Sequence, residues 1–249
     1  RNMNSPITRD QCPEEKDMII ENSVSDAYLA MLDDTTRYLG DNIVQVTRVN
    51  MPLGGSAQGH EAEAVHRYLP HGTVNVDPSF AKRLEAFEFN DERTGKWWLE
   101  DRIEALFGNT GEYHEALNKE AQYPYVVKSL KAMRERNAKI GPLWNANRMI
   151  VTLFDPAQHL HIARAPMPPC LINIAFIPVK DRLSLCATFR AQYTDAKGYG
   201  NLYSLAMMLG QVCEATGYTA RYLYSIALKP TLRYKKAEAK RFLFALMRR

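Results

Sequence analysis

The segment SDAYLAMLDDTTRYL sets Ala27, Leu29, Met31, Leu32 and Leu39 along one broad side, with Ser25 placed to cap it and Gly40 to end it. That spacing predicts an amphipathic helix. From Gln45 to Val76 no period is sustained, and NMPLGGSAQG and LPHGT read as loops around one short helix, HEAEAVHRYL. Helical spacing returns in KWWLEDRIEALFG and again from Lys119 to Arg136, where Tyr123, Val126, Val127, Leu130 and Met133 recur and Pro124 suits a first turn.

The periodicity changes at Arg148. RMIVTLF, LINIAFIPV and RLSLCATFR are dense in β-branched and aromatic residues and are separated by Pro-rich or charged turns, which predicts three strands of one sheet. NLYSLAMMLGQVCEAT is again helical, with Leu202, Leu205, Leu209 and Val212 on one side and Gly217 where a C-terminal cap belongs. RYLYSIAL reads as a further strand and AEAKRFLFALM as a closing helix. With no internal repeat and no linker, residues 1–249 are expected to form a single mixed α+β domain.

Composition narrows the class. The chain has 249 residues, 46% hydrophobic and 24% charged, the balance of a globular protein, and no apolar run approaches the roughly 18 residues a membrane helix needs. Its first residues mix both charge signs and do not read as a secretory signal, so a cytoplasmic protein with no membrane partner is expected. The formal charge of +4 is uneven: residues 229–249 carry eight basic residues against Glu238 alone. Nucleic-acid readers' motifs are missing there, so a solvated helix face is expected rather than a nucleic-acid site. The four cysteines are scattered, which predicts free thiols. His159-x-His161 places two imidazoles on one face of an extended segment, but nothing of standard spacing completes a metal set, and no metal is expected.

The densest chemistry lies around Cys170. With a turn at Val179-Lys180-Asp181, paired residues sum to about 360, which sets Cys170 beside Arg190 across a hairpin. A guanidinium beside a thiol favours the nucleophilic thiolate. The plainer alternative is a small buried cysteine and a strand-end charge.

Pro168-Pro169-Cys170, an arginine twenty residues on at Arg190, and an asparagine eleven further at Asn201 resemble the thymidylate synthase superfamily, which includes the pyrimidine nucleotide hydroxymethylases. Asn147-Arg148-Met149-Ile150-Val151 is similar to that family's Arg-Arg-x-Ile-Val segment, and the likeness covers roughly residues 113–217. The resemblance implies a thymidylate synthase-like α+β fold, a homodimer with facing sheets, and C5 methylation or hydroxymethylation of a pyrimidine nucleoside 5′-monophosphate. In it Cys170 is the nucleophile that adds to C6, and Arg190 binds phosphate with Ser204 one turn into the following helix. Arg148 reaches the partner's phosphate across the interface, and Asn201 reads the base edge, where Asn favours a uracil-type ring. The plain reading of Asn201 is a helix N-cap after Gly200. A catalytic glutamate is sought at Glu63 or Glu85, and the implied cofactor is 5,10-methylenetetrahydrofolate.

Several family positions differ. Gln-Arg-Ser-x-Asp is Phe189-Arg190-Ala191-Gln192-Tyr193 here, so Tyr193 stands where an aspartate would hold the pterin, with Asp195 two residues on. Leu171 replaces a histidine, and Leu232-Arg233-Tyr234 takes the place of His-x-Tyr, leaving Tyr234 for the sugar. With the sequence ending at Arg249, the expectation leans to hydroxymethylation over methylation. The alternative from another class is a catalytically degenerate nucleotide-binding or assembly protein of the same fold.

Overall fold

The computed structural model describes residues 18–40, 44–51, 78–88, 102, 104–107, 113–140, 149–159 and 168–248. Glu63 and Arg148, and the short helix expected at HEAEAVHRYL, lie outside them.

Helix α1, Val24–Arg37, is capped two residues earlier than the sequence suggested. Ser23 Oγ accepts the Asp26 amide at 3.0 Å and donates to Asp26 Oδ2 at 2.7 Å, a reciprocal cap, while Ser25 is buried. α1 is preceded by strand β1, Ile19–Glu21, and followed by β2, Gln45–Asn50. Helices α2, Pro78–Ala86, α3, His114–Asn118, and α4, Gln122–Ile140, come next, so the expected helix at Lys119 to Arg136 is the body of α4. Pro124 falls in its first turn. Strand β3, Ile150–Thr152, is followed by the four-residue helix α5, Pro156–His159. His159 therefore lies on a helix rather than an extended segment, its Nδ1 accepting the Asp155 amide at 2.9 Å.

The hairpin β4, Leu171–Val179, and β5, Arg182–Phe189, forms as expected. β6, Gln192–Tyr193, leads through a π-helical stretch, Thr194–Gly198, into α6, Tyr199–Thr216. Gly217 ends α6 at φ 75, the left-handed position that a glycine cap takes without strain. Strands β7, Thr219–Ala227, and β8, Pro230–Thr231, precede α7, Lys236–Met247.

One six-stranded mixed sheet runs in the order β1-β2-β7-β5-β4-β3, and β6 pairs with β8 in a small parallel pair. The region expected to be loops thus begins with a strand central enough to pair on both sides, parallel to β1 and antiparallel to β7. Val49, Leu223, Leu185, Ala187, Ile174 and Phe176 face one side and are buried there beneath α1, α4 and α6. α6 is buried along almost its whole circumference, as an all-round apolar helix must be, and Leu202, Leu205 and Leu209 are each wholly inaccessible. Each such leucine contributes roughly 1.5–3 kcal/mol through burial. This core positions the start of α6 over the end of the hairpin.

The opposite face carries Arg48, Tyr222, Tyr224, Cys186, Ala175 and Ile177, in register across β2, β7, β5 and β4. Among the described residues no helix covers it, and Ile177 and Ile150 are 41% and 48% exposed. Two guanidiniums, Arg48 and Arg221, lie 4.8 and 4.7 Å from the Tyr222 ring centroid, which in turn meets Tyr224 edge-on at 5.8 Å.

Candidate active site

The hairpin sets the first pair of candidate side chains. Val179 pairs with Arg182 across the two-residue turn Lys180-Asp181, a register in which paired numbers sum to 361. Carried to the strand ends, that sum would place Cys170 opposite Ala191. A bulge between Leu171 and Asn173 removes one residue from the count, Leu171 pairs with Phe189, and Cys170 meets Arg190. The Arg190 amide donates to the Cys170 carbonyl at 2.7 Å. The Arg190 Nη2 donates to the Pro168 carbonyl at 3.2 Å, so the guanidinium leans over the segment that carries the cysteine into β4. Cys170 is half-buried and free, and Arg190 is exposed. Burial pushes the Cys186 thiol up and the Cys213 thiol up to about 12, which makes both poor nucleophiles.

Beyond Arg190 the chain runs beside the 229–234 segment. The Gln192 amide donates to the Lys229 carbonyl at 3.1 Å, and Gln192 and Tyr193 pair with Pro230 and Thr231. Tyr193 is 39% exposed, while Asp195 is 2% exposed. The two Asp195 carboxylate oxygens accept the main-chain amides of Arg233 at 2.8 Å and Tyr234 at 2.9 Å. Burial raises the Asp195 pKa even against these bonds, which act the other way. Its carbonyl accepts Tyr28 Oη at 3.2 Å, and burial followed by the Asp195 charge drives the Tyr28 hydroxyl well above its ordinary range.

The stretch 197–201 is helical throughout. Asn201 is consequently inside the first turn of α6 and is not its cap. It is 5% exposed, and Ser204, one turn on, is fully buried with an Oγ that makes no hydrogen bond. Tyr234 is half-buried and packs on the core. The structure therefore brings Cys170, Arg190, Tyr193, Asp195 and Tyr234 onto three adjoining segments, 168–170, 190–195 and 229–234, and places Asn201 and Ser204 on the helix that follows. Glu85 lies on α2, which packs against α7.

Tyr28 is the contributor that sequence reasoning missed. It lies 167 residues from Asp195, and only the fold joins them. The signal in the sequence was Gly198: a Cβ there would stand 3.1 Å from Tyr28 Cε2, so the glycine serves close packing rather than a turn.

The same segment tests the implied folate. A pterin's N–H edge calls for a fixed carboxylate, and residues 190–201 supply one carboxylate, Asp195, whose two oxygens are already taken by main-chain amides. Tyr193 adds an exposed ring but no anion. These residues do not match a pterin. Among the described residues no group of His, Cys, Asp or Glu is arranged to hold a metal ion, and no helix is long and apolar enough to cross a membrane.

No protein-family model matches the chain, and no curated protein sequence does. Among solved structures, the thermostable thymidylate synthase A from Bacillus subtilis superimposes with a TM-score of 0.52 at 14% identity, over 92% of this chain and 85% of that one. The chain has a thymidylate synthase-like α+β fold.

Proposed function

We propose that the chain binds a pyrimidine nucleoside 5′-monophosphate, with a uracil-type base favoured, and that Cys170 activates its C5 by adding to C6. The observation that carries this reading is the juxtaposition of a half-buried free thiol with an exposed arginine at a strand end shaped by a bulge. Sγ forms a bond to C6 while the C5–C6 electron pair moves onto C5 and the O4 carbonyl. C5 then attacks a one-carbon electrophile at the formaldehyde oxidation level, whose C=O electron pair moves onto oxygen and is protonated to leave a hydroxymethyl group, and loss of the C5 proton to solvent or a base expels Sγ and restores the ring. Arg190 supplies a planar, permanently charged fork for the phosphate, which a lysine cannot reproduce in bidentate form. Arg148 is assigned the same task toward a partner subunit's phosphate.

A homodimer through the open sheet face belongs to this reading. An exposed sheet carrying tyrosines, isoleucines and stacked arginines has the aromatic-rich, Arg-rich make-up of an interface core.

The test needs no cofactor. Addition to C6 labilises the C5 hydrogen, so dUMP incubated with the protein in D2O loses its H5 proton resonance, and 5-fluoro-dUMP leaves a mass adduct on Cys170. Cys170→Ser is expected to abolish both. A second reading, a nucleotide-binding protein without transfer chemistry, is favoured by the commitment of Asp195 to main-chain amides. It prevails if dUMP binds equally well to wild type and Cys170→Ser with no H5 exchange in either.

A further inference from the structure

We infer that Asp195 is a positioning residue of the nucleotide site: its buried carboxylate holds residues 233–234 against the segment that runs from Arg190 into α6. The inference rests on the nucleotide reading above and concerns a residue whose carboxylate is turned away from solvent.

Three observations converge on it. First, the two acceptors serve two consecutive amides, Arg233 and Tyr234, at 2.8 and 2.9 Å. A side chain with two acceptor oxygens is needed for that, since an Asn would turn its own N–H₂ toward one of the amides. Second, the side chain lies 2% exposed, where burial raises its pKa and the main-chain amides pull the other way, so both of its oxygens are committed to partners inside the protein rather than to solvent. Third, the pair of bonds is the last rung of a ladder that starts at Gln192, two residues past Arg190. The Gln192 amide meets the Lys229 carbonyl, Gln192 and Tyr193 pair with Pro230 and Thr231, and Asp195 closes on Arg233 and Tyr234.

The residue is held from behind as well. Tyr28 donates to the Asp195 carbonyl, and the Tyr28 ring lies against Gly198, so the π-helical stretch cannot slide along α1. A widened turn of this type is often found at functional sites. The mechanical consequence is that Tyr234 and the first turn of α6 share one anchor. Arg190, which follows β5, reaches the same anchor only through the ladder. A ligand that touches Arg190 alone is indifferent to Asp195, whereas one long enough to reach Tyr234 as well depends on it.

That difference supplies the experiment. Inorganic phosphate probes Arg190, and dUMP probes the whole site. Asp195→Asn is expected to weaken dUMP binding about tenfold by calorimetry while phosphate affinity, followed by 31P NMR, stays within twofold, and the Cys170 alkylation rate likewise. If dUMP and phosphate weaken by one common factor, the residue is a general structural support and the inference fails. If wild type binds dUMP and the variant binds it equally, the inference fails while the nucleotide reading stands; if wild type does not bind dUMP, the nucleotide reading itself falls. Should Asp195→Asn not fold, hydrogen exchange on wild type decides. The Arg233 and Tyr234 amides are expected to exchange slowly and to slow further with dUMP bound, and exchange at open-loop rates in the dUMP complex overturns the inference.

Discussion

Gly198→Ala is the perturbation that most directly interrogates the joint between α1 and the functional segment. In an exposed helical position, replacing glycine by alanine stabilises by about 1 kcal/mol, because the chain loses less backbone freedom on folding. Gly198 has helical dihedrals, φ -59 and ψ -49, so that gain is available. Against it stands the new methyl, which would lie 3.1 Å from Tyr28 Cε2 and 3.4 Å from Tyr28 Cδ2 and Thr194 Cγ2. Carbon atoms prefer about 3.5–4.0 Å, so the ring must retreat by a few tenths of an ångström. It has little room: Tyr199, Phe80 and Phe242 pack around it at centroid distances of 5.4, 6.2 and 6.5 Å, and its hydroxyl is tied to Asp195. Overpacking of this kind costs about 1–3 kcal/mol. The expected balance is a net loss of about 1 kcal/mol in a urea titration, or a melting temperature lower by roughly 2–4 °C for a chain of this size. The effect should reach the site, weakening dUMP binding several-fold. Stabilisation by about 1 kcal/mol with unchanged affinity would refute the reasoning, because it would mean that Tyr28 gives way freely and does not brace the segment.

Four further outcomes follow from the same geometry. Arg190→Lys is expected to weaken dUMP binding about tenfold and to slow iodoacetamide alkylation of Cys170 together, while charge reversal at Lys235 and Lys236, both exposed, changes neither. At pH 8 iodoacetamide should label Cys170 ahead of Cys186 and Cys213, whose thiols burial pushes up, and peptide mass mapping reads the order. Because Cys213 is raised from 9.0 to about 12 by folding, the stability tied to its protonated form is whole below pH 9 and is lost as pH climbs toward 12. The denaturation midpoint of wild type should therefore fall more steeply over that window than that of Cys213→Ala. Tyr224→Glu, which sets a charge in the middle of the open sheet face, should shift the protein from dimer to monomer by light scattering without lowering its melting temperature by more than a few degrees.

Strands β4, β5 and β7 and helices α1, α6 and α7 were legible because their apolar positions repeat densely enough to outweigh local exceptions. β2 was not, and its reason is chemical. Its inward residues, Gln45 and Thr47, are polar yet buried, while the apolar Val46 faces the other way, so its alternation runs against the usual sense. The Cys170 to Arg190 pairing was readable from spacing, but only because the bulge beside Ile172 offsets a turn centred half a residue later than expected. The stretch 197–201 misled for a different reason. Gly200 suggested a helix start at Asn201, whereas the helix is already under way at Tyr199, and at Gly198 the missing side chain makes room for the Tyr28 ring. The burial of Asp195 and its grip on Arg233 and Tyr234 depend on contacts 38 and 39 residues apart, beyond the reach of local pattern.

Those separations also order events in time. The Arg190 to Pro168 contact spans 22 residues and belongs to a hairpin, a unit that closes on the order of microseconds. The contact from Tyr28 to Asp195 spans 167 and must await a far larger loss of chain entropy. A folding chain therefore sets Cys170 and Arg190 side by side well before α1 can lie down against the segment that carries Asp195. The end of the hairpin is assembled early and the segment beyond it is braced late, so a chain held in that interval presents Cys170 and Arg190 together without the Asp195 anchor.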